Sequence, residues 1–175
     1  MKHQSDTPIR AVGVIAEYNP FHNGHAYQLK KARELSGANY CIAALSGDFV
    51  QRGGPAVFDK YTRTAMALES GADLVVELPP IFASSSAEDF ASCGVALLDA
   101  LGVVSHLCFG SESGNLEELS SAADLLVAES EEYQQVLRQH LKDGYPFPQA
   151  RAAAFSFCSP KTDPELLSQP NNTLG

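Results

Sequence analysis

The sequence predicts an α/β fold, a parallel sheet with helices on both faces. Two patterns point to it. Short apolar runs alternate with longer segments whose apolar residues recur at helical spacing, and capping residues and glycines bracket those segments. The polar, glycine-bearing segments also fall just after the apolar runs, where open parallel sheets place their ligand crevice.

The first strand is expected over Ala11–Glu17, built on the apolar run Ala11-Val12-Gly13-Val14-Ile15-Ala16. A helix then spans about His25–Ser36, with Asn23 near its cap and Gly37 as its stop. The second strand is Tyr40–Ser46. The following helix, about Lys60–Ser70, has Asp59 as cap and ends at Gly71. The third strand is Asp73–Leu78. A helix over about Ala87–Leu101 follows, where Ser85 and Glu88 have capping-box spacing. The fourth strand is expected over Ser105–Gly110. Two more helices are expected near Leu116–Ala128 and Glu131–Lys142. Gly144–Pro148 breaks the pattern, residues 149–157 suit a short helix, and beyond Ser159 prolines and polar residues suggest an irregular tail.

The most informative segment is Tyr18-Asn19-Pro20-Phe21-His22-Asn23-Gly24-His25, between the first strand and the first helix. A helix N-terminus carries partial positive charge on free amides, and Gly24 lacks a Cβ, so an anion such as a nucleotide phosphate can approach. His22 and His25 can donate hydrogen bonds to phosphoryl oxygens as charge develops on them. Pro20 fixes the turn. Asn19 and Asn23 are either turn residues or ligand contacts.

Ser46-Gly47-Asp48-Phe49-Val50-Gln51-Arg52-Gly53-Gly54 follows the second strand. Arg52 suits phosphate or pyrophosphate, because its planar fork matches phosphate oxygens. Asp48 suits orienting a nucleophile or a magnesium-bound water. Lys60 and Arg63 lie one turn apart and are expected on a solvated helix face, with phosphate or RNA as the alternative they would face. Glu77 stands before Leu78-Pro79-Pro80, either lining the cleft or serving structure. Gly110-Ser111-Glu112-Ser113-Gly114 ends the fourth strand, and its backbone could contact adenine or ribose. No Gly-x-x-x-x-Gly-Lys run is present, which counts against a P-loop kinase.

The His-x-Gly-His spacing after a first strand resembles the signature of the HIGH-type nucleotidyltransferase superfamily. Val12–His25, Ser46–Gly53, Asp73–Pro79, Phe109–Glu112 and the final Pro170-Asn171-Asn172-Thr173-Leu174-Gly175 resemble, in that order, the tRNA(Met) cytidine acetate ligase family. The resemblance implies a Rossmann-like (HUP/nucleotidyltransferase) sheet. It also implies ATP-dependent activation of acetate to acetyl-adenylate, and acetyl transfer to the wobble cytidine of elongator tRNA(Met) to form N4-acetylcytidine. It places ATP contacts at Ile15, Ala16, Glu17, Tyr18, Asn19, Pro20, Phe21, His22, Asn23, Gly24, His25, Ala26, Tyr27 and Gln28, at Gly110, and at Asn171 or Asn172. Catalytic roles fall to His22, His25 and Arg52, with magnesium on the ATP and no protein metal site. Family members are roughly twice as long and carry a later arginine motif. The chain therefore reads as an N-terminal catalytic portion, with residues 1–158 as the catalytic domain and 159–175 as the start of a missing part that would carry most tRNA contacts. The alternatives are a small-molecule adenylyl- or cytidylyltransferase of cofactor synthesis, and a fragment that only binds nucleotide.

The 175 residues, 45% apolar and 19% charged, suit one globular domain. The net charge of −9 is uneven. Residues 1–66 hold eight Lys and Arg against five Asp and Glu, and the rest four against sixteen. An acidic body argues against a large nucleic-acid surface within this chain, and any tRNA contact is expected near the positive N-terminal third or in the missing part. No apolar run approaches the length of a membrane span, and Met1–Asp6 lacks a signal-peptide core, so a cytoplasmic location is expected. Cys41, Cys93, Cys108 and Cys158 are far apart in apolar surroundings. They are expected as buried free thiols rather than disulfides or metal ligands.

Overall fold

The computed structural model describes residues 9–51, 53–160, 166 and 171–172. Arg52 and most of the region beyond Pro160 lie outside the described residues. Contacts divide the chain into two units, Met1–Phe109 and Gly110–Gly175.

In the first unit four parallel strands form one sheet in the order β3-β2-β1-β4: β1 Ala11–Ala16, β2 Tyr40–Ser46, β3 Leu74–Leu78 and β4 Val104–Leu107. Helices α1 (Asn23–Ser36) and α2 (Lys60–Glu69) connect β1 to β2 and β2 to β3. The chain then passes through a short α3 (Pro80–Ala83) and α4 (Ala87–Ala100) to β4, on the other side of β1. The strand order thus reverses beside β1, and a crevice opens at such a switch point, outside the carboxyl ends of the strands.

Both faces of the sheet are covered, as the continuous apolar character of the strands requires. Val12, Val14, Cys41, Ala43 and Leu45 pack with Leu29 and Ala32 of α1 and Ala67 of α2. Ala11, Ile42, Ala44 and Leu78 pack with Phe90 and Leu98 of α4. The α4 contact is close: a Cβ on Gly94 would lie 2.6 Å from Ile15 Cδ1, and one on Gly13 would lie 2.7 Å from Leu98 Cδ1. These two glycines let helix and strand approach to a separation that no side chain at either position permits.

Several local expectations are corrected. The cap of α4 is Ser86, whose hydroxyl accepts from the Asp89 amide; the Ser85 hydroxyl instead donates to the Phe82 carbonyl. The four-residue α3 was not foreseen. It fixes the chain before α4 and shifts the cap by one residue. β4 stops at Leu107, because it pairs only along Ala11–Gly13 at the sheet edge, so Gly110 lies beyond the strand. All four cysteines are free, Cys41 buried and the others half-buried. Burial pushes the Cys41 thiol up to about 11.

In the second unit, α5 (Leu116–Ala128), α6 (Glu131–Lys142) and α7 (Phe147–Cys158) pack Leu119, Ala122, Tyr133, Ala154 and Phe155 into a core of their own. Helix α7 begins two residues earlier than expected because Pro148 sits in its first turn, where a missing N–H costs nothing.

Candidate active site

The turn after β1 is built by its own histidines. His22, not Asn23, is the N-cap of α1: its Nδ1 accepts from the Gly24 amide at 3.1 Å. His25 Nδ1 in turn accepts from the His22 amide at 3.3 Å, which completes a reciprocal capping box made of two imidazoles. The rings stack with centroids 3.7 Å apart. A Cβ on Gly24 would stand 2.9 Å from His22 Cε1, so glycine is needed here first to admit the His22 ring.

The tautomers follow from these bonds. A backbone amide can only donate, so both Nδ1 atoms must present lone pairs, and each neutral ring carries its proton on Nε2. Neither Nε2 has a partner among the described residues. Two N–H donors are thus left for a ligand. Burial first, then the neighbouring His22, lowers the His25 pKa to about 4 and keeps its ring neutral. The amides are mostly spent: those of His25 and Ala26 donate to the His22 carbonyl, and that of Gly24 to the His22 ring. The imidazoles are therefore the principal hydrogen-bond donors of this helix start.

The pair is held from below. Tyr18, 1% exposed and at φ 47°, packs its ring 4.8 Å from both Phe21 and His25. Its hydroxyl is buried without a hydrogen-bond partner among the described residues, and burial pushes the phenol above its usual range. Asn19 precedes a cis Pro20 and accepts the Val57 amide at 2.7 Å on its side-chain oxygen, pinning Val57 to the turn. The Glu17 carboxylate accepts the Gln51 amide. Ile15 and Ala16 pack in the two cores, whereas Asn23 and Tyr27 are exposed and Ala26 and Gln28 half-exposed.

The expectation of a solvated face is overturned at Arg63, whereas Lys60 stays partly exposed. Arg63 is 0% exposed. Its guanidinium donates to the carbonyls of Glu17 (2.6 Å), Phe58 (3.0 Å) and Gly47, and lies 3.5 Å from Ser46 Oγ. Lys60 pairs with Glu77 at 2.9 Å, which gives that carboxylate a structural partner. The missed signal was helical spacing: Arg63 and Ala67 share the stripe of α2 that faces the sheet. Asp48 is exposed, and no side-chain hydrogen bond of its carboxylate occurs among the described residues.

In the second unit the loop after Gly110 is tied to the paired asparagines. Asn172, 6% exposed, accepts from the Ser111 hydroxyl at 2.7 Å and the Glu112 amide at 3.0 Å. The Glu112 carboxylate accepts the Asn171 side chain at 2.8 Å and the Asn172 amide at 3.0 Å. These bonds hold the carboxyl below its usual range against the opposing effect of desolvation. Arg52, the remaining expected site residue, lies outside the described residues. Among the described residues no cluster of three or more His, Cys, Asp or Glu groups can hold a metal ion, and no helix is long and apolar enough to cross a membrane.

A parallel sheet whose first strand runs into an imidazole-capped helix start defines a nucleotidyltransferase-type protein. The profile of the HIGH Nucleotidyl Transferase family matches residues 9–175, and the chain belongs to that family. Within it, the chain is similar to the tRNA(Met) cytidine acetate ligases of Acetivibrio thermocellus (44% identical, 95% of this chain and 41% of that one) and Thermoanaerobacter sp. strain X514 (47%, 93% and 41%). The crystal structure of Thermotoga maritima TmcAL bound with alpha-thio ATP superposes with a TM-score of 0.87 at 46% identity, covering 94% of this chain and 41% of that chain. The chain thus spans about two fifths of the length of these relatives.

Proposed function

We propose that this chain carries the ATP-dependent acetate-activating site of a tRNA(Met) cytidine acetate ligase. The observation that carries the reading is the pair of Nε2–H donors of His22 and His25 after β1, unpartnered among the described residues, in a chain 44–47% identical to enzymes of that name. Support for ATP as the ligand comes from the relative crystallised with alpha-thio ATP.

An acetate oxygen attacks the α-phosphorus of ATP, the bond to the bridging oxygen breaks, and pyrophosphate leaves with the electron pair. Charge builds on phosphoryl oxygens, and neutral imidazole N–H groups stabilise it without being protonated first. The preset capping box means that neither ring reorganises during the step. When bound, magnesium neutralises triphosphate charge. It would ride on the phosphates, and the exposed carboxylate of Asp48 fits a single supporting ligand, since magnesium commonly uses one or two carboxylates beside substrate phosphates. In the second half-reaction the wobble cytidine amine attacks the acetyl carbonyl, AMP leaves, and the amine gives up a proton. The base must leave its stack to react. Arg52 adds a phosphate contact in this reading, residues 1–158 hold the catalytic part, and most tRNA contacts are assigned to regions beyond them. A cytoplasmic location accords with ATP and tRNA as substrates.

Pyrophosphate exchange into ATP tests the reading. Exchange that requires acetate supports it. Exchange that requires a phosphorylated metabolite assigns the chain to cofactor-type nucleotidyl transfer, and nucleotide binding without exchange reduces it to a binding unit.

A further inference from the structure

Among the described residues, Arg63 is the largest fully buried side chain and a cation without a carboxylate in ion-pair contact. Its partners are the Glu17, Gly47 and Phe58 carbonyls and the Ser46 hydroxyl. Glu17 leaves β1 toward the histidine turn, Ser46 and Gly47 end β2, and Phe58 precedes the Asp59 cap of α2. One planar fork therefore holds the three chain segments that border the crevice. Burying a guanidinium costs free energy, and burial lowers its pKa, with Asp48, Glu17, Asp59 and Glu77 acting against that fall from longer range. A fold that needed only packing here would use an apolar side chain at lower cost. The same segments are joined a second time, by the Gln51 amide on the Glu17 carboxylate and the Val57 amide on Asn19.

We propose that Arg63 is a positioning residue for the nucleotide site: its guanidinium locks the end of β1, the stretches 47–51 and 53–58 and the His22–His25 turn into one rigid unit when the triphosphate binds. The inference rests on the nucleotide reading of that turn. Arg63 does not touch the ligand. It acts through Glu17 and Gly47, and a lysine cannot replace it, because one ammonium cannot span carbonyls fixed in a fork.

Arg33 supplies the control. It makes the same kind of bonds at the opposite end of the sheet, to the Asn39 carbonyl at 2.5 Å, the Gly71 carbonyl at 2.7 Å and Asp73 at 2.7 Å. The experiment compares Arg63→Lys and Arg33→Lys with wild type by thermal melting and by calorimetric binding of a non-hydrolysable ATP analogue. Both variants are expected to melt lower. Only Arg63→Lys is expected to lose affinity, by about tenfold or more. Wild-type affinity in Arg63→Lys, or an equal loss in Arg33→Lys, overturns the inference and leaves the nucleotide reading standing. No binding by wild type overturns both. If Arg63→Lys does not fold, hydrogen exchange on the wild-type chain decides: the amides of Gln51, Ala56 and Val57 should gain protection together with those of Gly24 and His25 as the analogue is added. Separate responses contradict a single rigid unit.

Discussion

His22 and His25 hold each other: the Nδ1 of His25 accepts the His22 amide while His22 caps the helix that carries His25. The loop closes over three residues, so each ring's orientation depends on the other. Ring position, tautomer and helix start are therefore one structural fact.

The first consequence concerns pH. With a folded-state pKa of about 4, His25 is neutral in the protein at pH values where the unfolded chain takes up a proton. The unfolded state then binds more protons, so stability is full above the unfolded value near 6.5 and is lost progressively as pH falls toward about 4. A two-dimensional NMR titration should show His25 keeping its Nε2–H tautomer down to about pH 4. A midpoint near 6.5 would show that the ring is not shielded as described.

Capping and chemistry can be separated at His22. Asparagine is a strong N-cap but has no imidazole N–H, so His22→Asn should hold stability within about 0.5 kcal/mol of wild type. Acetate-dependent pyrophosphate exchange should fall about 10²-fold or more, the usual loss when one donor to a developing oxyanion is removed. Alanine at the same position should also cost about 1 kcal/mol of stability through the lost cap.

Gly24→Ala tests the close approach. The new Cβ would meet the His22 ring at 2.9–3.0 Å and push it off its cap. Alanine also gains about 0.5–1 kcal/mol of helix preference over glycine, which offsets part of the strain. Melting temperature should move little while nucleotide affinity drops. Unchanged affinity would mean that the His22 ring can shift without consequence.

Gly94→Ala tests the packing of α4 on β1. Its Cβ would fall within 2.6–2.9 Å of three Ile15 side-chain atoms. Overpacking of this kind costs about 1–3 kcal/mol, and Ile15→Ala in the same chain should recover part of it. Denaturant titration of the two single variants and the double variant measures the coupling. Strict additivity would rule out the contact.

Sheet, strand order along the chain, helix stops and the histidine turn were legible because they rest on local signals: apolar period, Gly37 at φ 64° and the Asp59 cap. Arg63 was legible only in part: its helical spacing with Ala67 marks the buried stripe of α2, but an arginine one turn from Lys60 reads as solvated, and only the fold shows that its partners lie 5 to 46 residues away. The His22 cap was missed because histidine is an uncommon N-cap, and Asn23 next to it is a better one by propensity. Ser86 displaced Ser85 because the short α3 turn just upstream takes the Ser85 hydroxyl onto the Phe82 carbonyl.

The decisive measurement is a crystal structure of the chain with a non-hydrolysable ATP analogue. Phosphoryl oxygens should lie about 3 Å from Nε2 of both His22 and His25, with each Nδ1 still on its backbone amide. A triphosphate seated elsewhere, or bound through Nδ1 after a ring flip, would contradict the account.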